Sequence, residues 1–233
     1  GGFSMEVQAR PFVGIFTEKG SCMCHKVMKA LVYLEIPFRT LDRDTLATIK
    51  PGDVDVLLFP GGRYRFLGPL IDNVREFIKS GGGYVGICCG AYNAIWLGLL
   101  DAEPLDVRGL GPHQLEIRDG DHPVMAGVAK KDEAQPWRDY EQITMVRLNG
   151  PFLKAGKDVH IIASYDINGT LGAIVSSEYG DGRVVVFSPH PEGVNFDEVR
   201  FKDRDDQILV YDGIQMGTVK LLENALIFVA KKG

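Results

Sequence analysis

Residues 81–92 read GGGYVGICCGAY, a short apolar segment set between small residues. Residues 84–87 have the unbroken apolar character of a strand that is buried on both faces, and a helix is predicted over residues 91–100. Cys88 therefore lies at a sharp turn from strand to helix, where a side chain is held exposed at the edge of the sheet. The positive end of the following helix favours the thiolate. This stretch predicts that Cys88 is a nucleophile.

Outward from this turn, strands alternate with helices. The predicted strands are 12–16, 36–41, 54–59 and 84–87, and the predicted helices are 22–35, 70–79, 91–100 and 216–230. Such alternation indicates βαβ units and a parallel sheet with helices on both faces. In open sheets of this kind, ligands bind at the carboxyl ends of the strands, which is where Cys88 lies.

The second half of the chain has a different pattern of apolar and turn-forming residues. Its short apolar runs are separated by the turn-forming pairs Asn149-Gly150, Asn168-Gly169 and Asp181-Gly182. These signals predict antiparallel strands that extend the sheet. Because no linker or repeat divides the chain, residues 5–233 are predicted to form one domain, and residues 1–4 are interpreted as a non-native remnant.

Composition excludes several classes of function. The chain has 233 residues, of which 45% are hydrophobic and 24% are charged, and its net charge is -5. It has no basic stripe of the kind that nucleic-acid binding requires, and no apolar run near the about 20 residues of a membrane span. We therefore expect a small-molecule substrate and no nucleic-acid or membrane partner. A cytoplasmic location is expected, with a removed export signal as an open alternative.

The remaining cysteines are Cys22, Cys24 and Cys89. None of the cysteine spacings matches a zinc or thioredoxin-type motif, so neither a metal nor a cofactor is expected. Thiols this close in sequence close almost no loop, and reduced thiols are the expected state. A redox exchange of Cys22 and Cys24 with Cys88 is the open alternative, since the loop after the first strand reaches the same sheet edge.

A histidine and a carboxylate follow the strand at 184–187. His190 and Glu192 are two residues apart in a proline-stiffened stretch, so their side chains can point to the same side. The carboxylate can then orient one imidazole nitrogen and leave the other facing a thiol. Cys88, His190 and Glu192 are thus predicted as nucleophile, base and orienting acid.

A second glycine-rich turn follows the strand at 54–59. Gly61 and Gly62 can bring backbone N–H groups close to a developing oxyanion because no Cβ intervenes. Together with the backbone N–H of Cys89 they are predicted to form an oxyanion hole.

The order of these motifs resembles class I glutamine amidotransferases. The segments FPGGR at 59–63, EFIKSGGGYVGICCGAY at 76–92 and GDGRVVVFSPHPE at 180–192 look more closely like the biotin-protein-ligase N-terminal-domain family. The resemblance covers roughly residues 12–195. It implies a flavodoxin-like three-layer α/β sandwich, with a mainly parallel sheet and added antiparallel strands, and a cysteine nucleophile.

The chain departs from glutaminases beside the nucleophile. Gly90-Ala91-Tyr92 stands where those enzymes usually carry a glutamine, so free glutamine is not the expected substrate. No synthetase or ligase domain accompanies the motifs, which leaves a partner subunit or a homo-oligomer open. The predicted substrate-binding residues are Arg63, Tyr64 and Tyr92, with Arg65 and Asn93 beside them, and two arginines here suit an anionic group.

Three functions are compatible with these motifs. The first is a cysteine-dependent amidase or amidotransferase-like hydrolase that acts on a small amide or acyl substrate. The second is a non-catalytic or regulatory ligand-binding module with the same fold. The third is the related protease and chaperone branch, which is disfavoured because a histidine typically follows its cysteine directly, whereas here Cys89 does.

Overall fold

The structure is a computed structural model that describes residues 10–19, 22–66, 68–193, 199–202, 208–211 and 216–231. The predicted remnant at residues 1–4 lies outside the described residues. The strands are β1 (Val13–Phe16), β2 (Phe38–Leu41), β3 (Val56–Phe59), β4 (Gly83–Ile87), β5 (Ala102–Leu105), β6 (Leu110–Ile117), β7 (Ile143–Leu148), β8 (Phe152–Ala155), β9 (His160–Ser164), β10 (Gly172–Tyr179), β11 (Gly182–Phe187), β12 (Val199–Lys202) and β13 (Ile208–Tyr211). The helices are α1 (Cys24–Tyr33), α2 (Arg43–Ala47), α3 (Pro69–Lys79), α4 (Cys89–Trp96) and α5 (Met216–Ala230), with a short 3₁₀ turn at Pro123–Met125.

One large sheet contains eleven of the described strands, and β12 and β13 pair with each other in a separate antiparallel sheet. The strand order of the large sheet is β2-β1-β3-β4-β11-β10-β9-β6-β7, and β8 joins it through β10 and carries β5. The first five strands of this order are parallel, and the pairs beyond β11 are antiparallel. The predicted α/β fold with a parallel sheet and an antiparallel extension is confirmed.

The parallel strands are buried on both faces, as their sequence predicts. Val56 and Leu58 of β3 pack into one core with α1 and α5, while Leu57 and Phe59 pack into a second core with α2, α3 and α4. Successive side chains of a strand point to opposite faces, which is why an unbroken apolar run fills two cores. The result is a three-layer arrangement of helices, sheet and helices.

The antiparallel half curls back toward the parallel half. β7 is the last strand of the sheet order, yet Val146 in β7 forms a bridge with His190, just beyond the end of β11. This closure brings the carboxyl ends of β4 and β11 against β7.

Two helices differ from the sequence-based expectation. The helix after Cys88 ends at Trp96 rather than near residue 100, because Gly98 adopts a left-handed conformation (φ 73°) that terminates it. The short helix α2 was not predicted. Its signal was a capping box, in which the Asp42 side chain accepts a hydrogen bond from the Thr45 backbone N–H and the Thr45 hydroxyl accepts one from the Asp42 backbone. No helix within the described ranges has the length and apolar character to cross a membrane.

Candidate active site

Cys88 occupies the turn between β4 and α4. Its backbone has φ 55° and ψ -103°, a conformation that costs a non-glycine residue about 1–3 kcal/mol. The backbone N–H of Cys88 donates to the carbonyl of Phe187 at 2.8 Å, which ties the turn to the end of β11. The side chain is half-buried and the thiol is free. The strand-to-helix turn expected from the sequence is present.

Two glycines allow the turn to form. A Cβ added to Gly90 would lie 2.1 Å from the carbonyl oxygen of Phe59, and one added to Gly86 would lie 2.4 Å from the carbonyl oxygen of Gly90. Both distances are far shorter than a carbon–oxygen contact permits, so helix and strand approach here only because these side chains are missing.

His190 and Glu192 form a buried pair. The Nδ1 atom of His190 lies 2.5 Å from Oε1 of Glu192, and the two residues are 3% and 1% exposed. Burial opposes protonation of the ring, but the charge of Glu192, followed by contributions from the Cys88 thiol, raises the pKa of His190 to about 10. A carboxylate on Nδ1 leaves Nε2 as the working nitrogen.

The free nitrogen of His190 and the thiol of Cys88 border the same small space. Nε2 is buried and makes no hydrogen bond of normal geometry, while Cys88 is near enough to raise the pKa of the ring. A Cβ added to Gly61 would lie 2.7 Å from Cε1 of His190 and 3.6 Å from Cβ of Cys88. The structure thus gathers Cys88, His190 and Glu192 beside Gly61, with the hydrogen bond from thiol to ring not formed. Such bonds are often loose before a substrate binds.

The loop after β3 lies opposite this pair. Gly61 is buried, and Gly62 has a φ of 143°, which favours glycine. The loop after β1 packs against it, since the backbone N–H of Met23 donates to the Gly61 carbonyl at 2.7 Å and Cys22 bridges Gly62. The third predicted donor, the N–H of Cys89, is in the first turn of α4, where N–H groups lack intrahelical acceptors. The structure brings Gly61 beside Cys88 and His190, and an oxyanion hole formed by Gly61, Gly62 and Cys89 stays a prediction.

The side chain of Cys89 points away from the site. It is 7% exposed, and its Sγ donates to the carbonyl of Tyr64 at 3.3 Å. Burial raises the pKa of the Cys89 thiol to about 11, so it stays protonated at neutral pH. Of the two adjacent cysteines, Cys88 is the one placed to react.

The residues predicted to bind substrate occupy different environments. Arg63 and Arg65 are exposed, and the Arg65 guanidinium lies 4.4 Å over the ring of Trp96. Tyr64 is 7% exposed and its hydroxyl donates to the Pro60 carbonyl at 2.5 Å. Its side chain therefore packs against the interior side of the loop that follows β3. A contact between Tyr64 and substrate has no support in its position.

Tyr92 and Asn93 follow the nucleophile on α4. Tyr92 is half-buried and its hydroxyl donates to Asp106, close enough to Cys88 for the thiol to contribute to raising the pKa of Tyr92. Asn93 is buried and its amide donates to the carbonyls of Tyr64 and Cys89 at 3.1 and 3.0 Å. Tyr92 is thus placed near the thiol, whereas Asn93 connects helix α4 to the loop that follows β3.

Strand β7 forms a wall of the site that the sequence did not indicate. The Cys88 thiol donates weakly to the Leu148 carbonyl at 3.5 Å, and the backbone N–H of His190 donates to the Val146 carbonyl at 2.8 Å. Between them, Arg147 is 1% exposed. A charged residue between the apolar residues Val146 and Leu148 was the only available signal.

The cysteines in the loop after β1 differ from the sequence-based expectation. Cys22 and Cys24, expected to be reduced, are joined as a disulfide, with their Cα atoms 5.2 Å apart. Met23 between them has φ -90° and ψ 41°, so the chain turns into α1 here and brings the two side chains together. Within the described part of the chain, no group of three His, Cys, Asp or Glu residues is placed to hold a metal ion.

Solved structures similar to this chain share its fold. No protein-family model matches the chain, and no curated protein is significantly similar in sequence. PurLQS from Thermotoga maritima superimposes with a TM-score of 0.64 at 18% identity, covering 94% of this chain and 99% of that one. A GMP synthase component from Thermoplasma acidophilum, described as putative, gives a TM-score of 0.59 at 14% identity, covering 95% and 96%. A glutamine amidotransferase from Thermotoga maritima gives 0.52 at 12%, covering 79% and 77%. The chain therefore has a class I glutamine amidotransferase-like fold.

Proposed function

We propose that this chain is a cysteine-dependent amidase or amidotransferase-like hydrolase that acts on a small amide or acyl substrate. The observation that carries the proposal is the buried pair of His190 and Glu192, whose unpaired Nε2 borders the same space as the half-buried thiol of Cys88. A buried imidazole held by a carboxylate is suited to exchanging protons with a thiol.

In the proposed reaction, Sγ of Cys88 attacks the carbonyl carbon of the substrate after its proton passes to Nε2 of His190. The carbon–nitrogen bond then breaks, and His190 gives that proton to the departing amine. Water attacks the resulting thioester while His190 takes up one of its protons, which releases the acid and returns the thiol. Glu192 holds the ring in the required orientation throughout.

Backbone donors of the two loops would stabilise the negative charge on the carbonyl oxygen. The N–H groups of Gly61 or Gly62 and of Cys89 are the candidates, because Gly61 lies against Cys88 and His190 and Cys89 follows Cys88 at the start of α4. Donors of this kind are each worth about 3–4 kcal/mol in the transition state of related reactions.

The resemblance to the biotin-protein-ligase N-terminal-domain family is part of this proposal and rests on the motif order alone. The absence of a glutamine in Gly90-Ala91-Tyr92 argues against free glutamine as substrate. The same departure is the observation that favours the second candidate, a ligand-binding module that retains the fold without turnover.

Thiol reactivity separates the two candidates. We expect iodoacetamide near neutral pH to label Cys88 faster than the same thiol in the urea-unfolded chain, and much faster than Cys22 after mild reduction. Equally slow labelling of all the thiols would contradict the enzyme and support the binding module. Mass spectrometry of the labelled peptides assigns each rate to its cysteine.

Ammonia release from a panel of small amides then tests turnover. Cys88→Ala and Cys88→Ser should abolish any activity found. Cys89→Ala is the matched control and should retain most of it, since that change keeps the backbone N–H. A dead Cys89→Ala variant beside an active Cys88→Ala variant would overturn the assignment of the nucleophile.

A further inference from the structure

Arg147 is a buried cation without a carboxylate partner in the described residues. Its Nε donates to the Gly150 carbonyl at 2.7 Å, whereas Nη2 is buried and makes no hydrogen bond. The guanidinium lies 4.4 Å over the ring of Phe152 and 5.8 Å over that of Tyr165. Aromatic faces stabilise a cation only in part, and a buried charge normally has an ionic partner.

This cation lies beside the proposed nucleophile. Burial lowers the pKa of Arg147, while Tyr165, Cys88 and Tyr92 raise it in part, so these three side chains lie within electrostatic range of the guanidinium. Leu148, the next residue along β7, accepts the hydrogen bond from the Cys88 thiol. The side chain and the reacting sulfur therefore belong to one site.

An exposed segment of the chain lies next to Arg147. A Cβ added to Gly109 would lie 2.8 Å from Nη1, so this glycine lies directly against the guanidinium. The residues before it, Asp106 to Arg108, are exposed. Nη2 is buried and has a hydrogen bond to give to a ligand group.

We propose that Arg147 binds a carboxylate on the substrate that Cys88 attacks, an inference that rests on the function proposed above. The planar guanidinium matches a carboxylate in shape, and the bound anion supplies the missing charge partner. The expected substrate is thus a small amide or acyl compound that bears a carboxylate. The sequence pointed to an anionic substrate through Arg63 and Arg65, and the structure assigns the recognition to a different arginine.

Two alkylating reagents that differ in charge test this assignment without knowledge of the substrate. Iodoacetate and iodoacetamide both form a sulfur–carbon bond at Cys88 with loss of iodide, but only iodoacetate carries a carboxylate. The ratio of their rates measures how well the site draws a carboxylate to this sulfur, because the nucleophilicity of the thiol affects both rates. The reference is the same ratio at Cys88 in the urea-unfolded chain.

We expect the ratio in the native protein to exceed the unfolded reference at least about tenfold, although the net charge of -5 repels anions in general. Arg147→Met should return the ratio to the reference while iodoacetamide still labels Cys88. Arg147→Lys keeps the charge with fewer donors and should retain part of the enhancement. Arg39→Met, at an exposed arginine of β2, is the matched control and should leave the ratio unchanged.

A native ratio equal to the unfolded reference would overturn the assignment, as would an enhancement that survives in Arg147→Met. A parallel fall of both rates in folded Arg147→Met, at an unchanged ratio, would also overturn it and give Arg147 the role of stabilising the thiolate. If Arg147→Met does not fold, the rate ratios of the native protein and of Arg147→Lys still test the assignment of Arg147. Failure of the proposed function has a different signature, which is slow labelling of native Cys88 by both reagents.

Discussion

Nδ1 of His190 lies 2.5 Å from Oε1 of Glu192, and this contact is sealed from solvent while Nε2 and the second carboxylate oxygen have no hydrogen-bond partner in the described residues. Within the described residues, the His190 ring is therefore the hydrogen-bond partner of the Glu192 carboxylate. The ring in turn has one free nitrogen, on the side of Cys88 and Gly61. The first two predictions test how this pair affects the reactivity of Cys88 and the stability of the protein.

The first prediction concerns the order of importance within the proposed triad. His190→Ala should slow iodoacetamide labelling of Cys88 at pH 7 about tenfold or more, because the protonated ring that stabilises the Cys88 thiolate is removed. Glu192→Gln should cost less, since it misorients the ring without removing it. Labelling rates of the two variants against the native protein give the comparison. A greater loss in Glu192→Gln would show that the carboxylate does more than orient.

The second prediction concerns stability against pH. The folded protein holds the His190 proton up to a pKa of about 10, whereas an unfolded histidine releases it near 6.5. This contribution to the free energy of unfolding is complete below pH 6.5 and is lost as pH rises through about 10. Between these values stability should fall with pH by up to about 1.4 kcal/mol per unit. Urea unfolding of the native protein and of His190→Asn across this range provides the test, and equal slopes would contradict it.

The third prediction concerns Gly61. A Cβ there would lie 2.7 Å from Cε1 of His190, so Gly61→Ala must displace the ring. We expect a loss of Cys88 labelling of about tenfold, together with a destabilisation of about 1–3 kcal/mol from overpacking. Both are measured on the same protein sample.

The control for that substitution is Gly217→Ala. Gly217 is an exposed residue of α5, and a Cβ there meets nothing within 4 Å. Because this position is exposed and open, the variant should not lose stability and should keep its labelling rate. Normal labelling in Gly61→Ala would mean that the ring has another place to go and that its position is not critical.

The fourth prediction concerns free glutamine. We expect slow hydrolysis or none, because the stretch after the nucleophile, Gly90-Ala91-Tyr92, carries no glutamine and Tyr92 donates its hydroxyl to Asp106. The measurement is ammonia release from glutamine by the isolated chain, with Cys88→Ala as the blank. Turnover at ordinary enzyme rates would contradict the prediction and make this stretch a competent substitute for the usual motif.

The local architecture of the site could be predicted because its causes are local. Gly86 and Gly90 flank a strand-to-helix turn, and His190 and Glu192 are two apart in an extended stretch, so neighbouring residues alone decide these geometries. The parallel strands could be recognised because burial on both faces requires unbroken apolar runs. The burial of Tyr64 could not be predicted, because a loop tyrosine next to two exposed arginines carries no sign in the sequence of which way it faces.

The sequence by itself determined the layered fold through its alternating strand and helix patterns, and it determined the turn at Cys88 and the pairing of His190 with Glu192 through residues close together in the chain. Only the tertiary structure decided that β7 closes the site, because the contact between Cys88 and Leu148 joins residues 60 apart in the chain. That closure depends on how the antiparallel half of the sheet curls back to His190, which no local pattern encodes. In the sequence, Arg147 is only a charged residue within a predicted strand. The closure makes it a buried cation beside the thiol, because the residues that surround Arg147 come from distant parts of the chain.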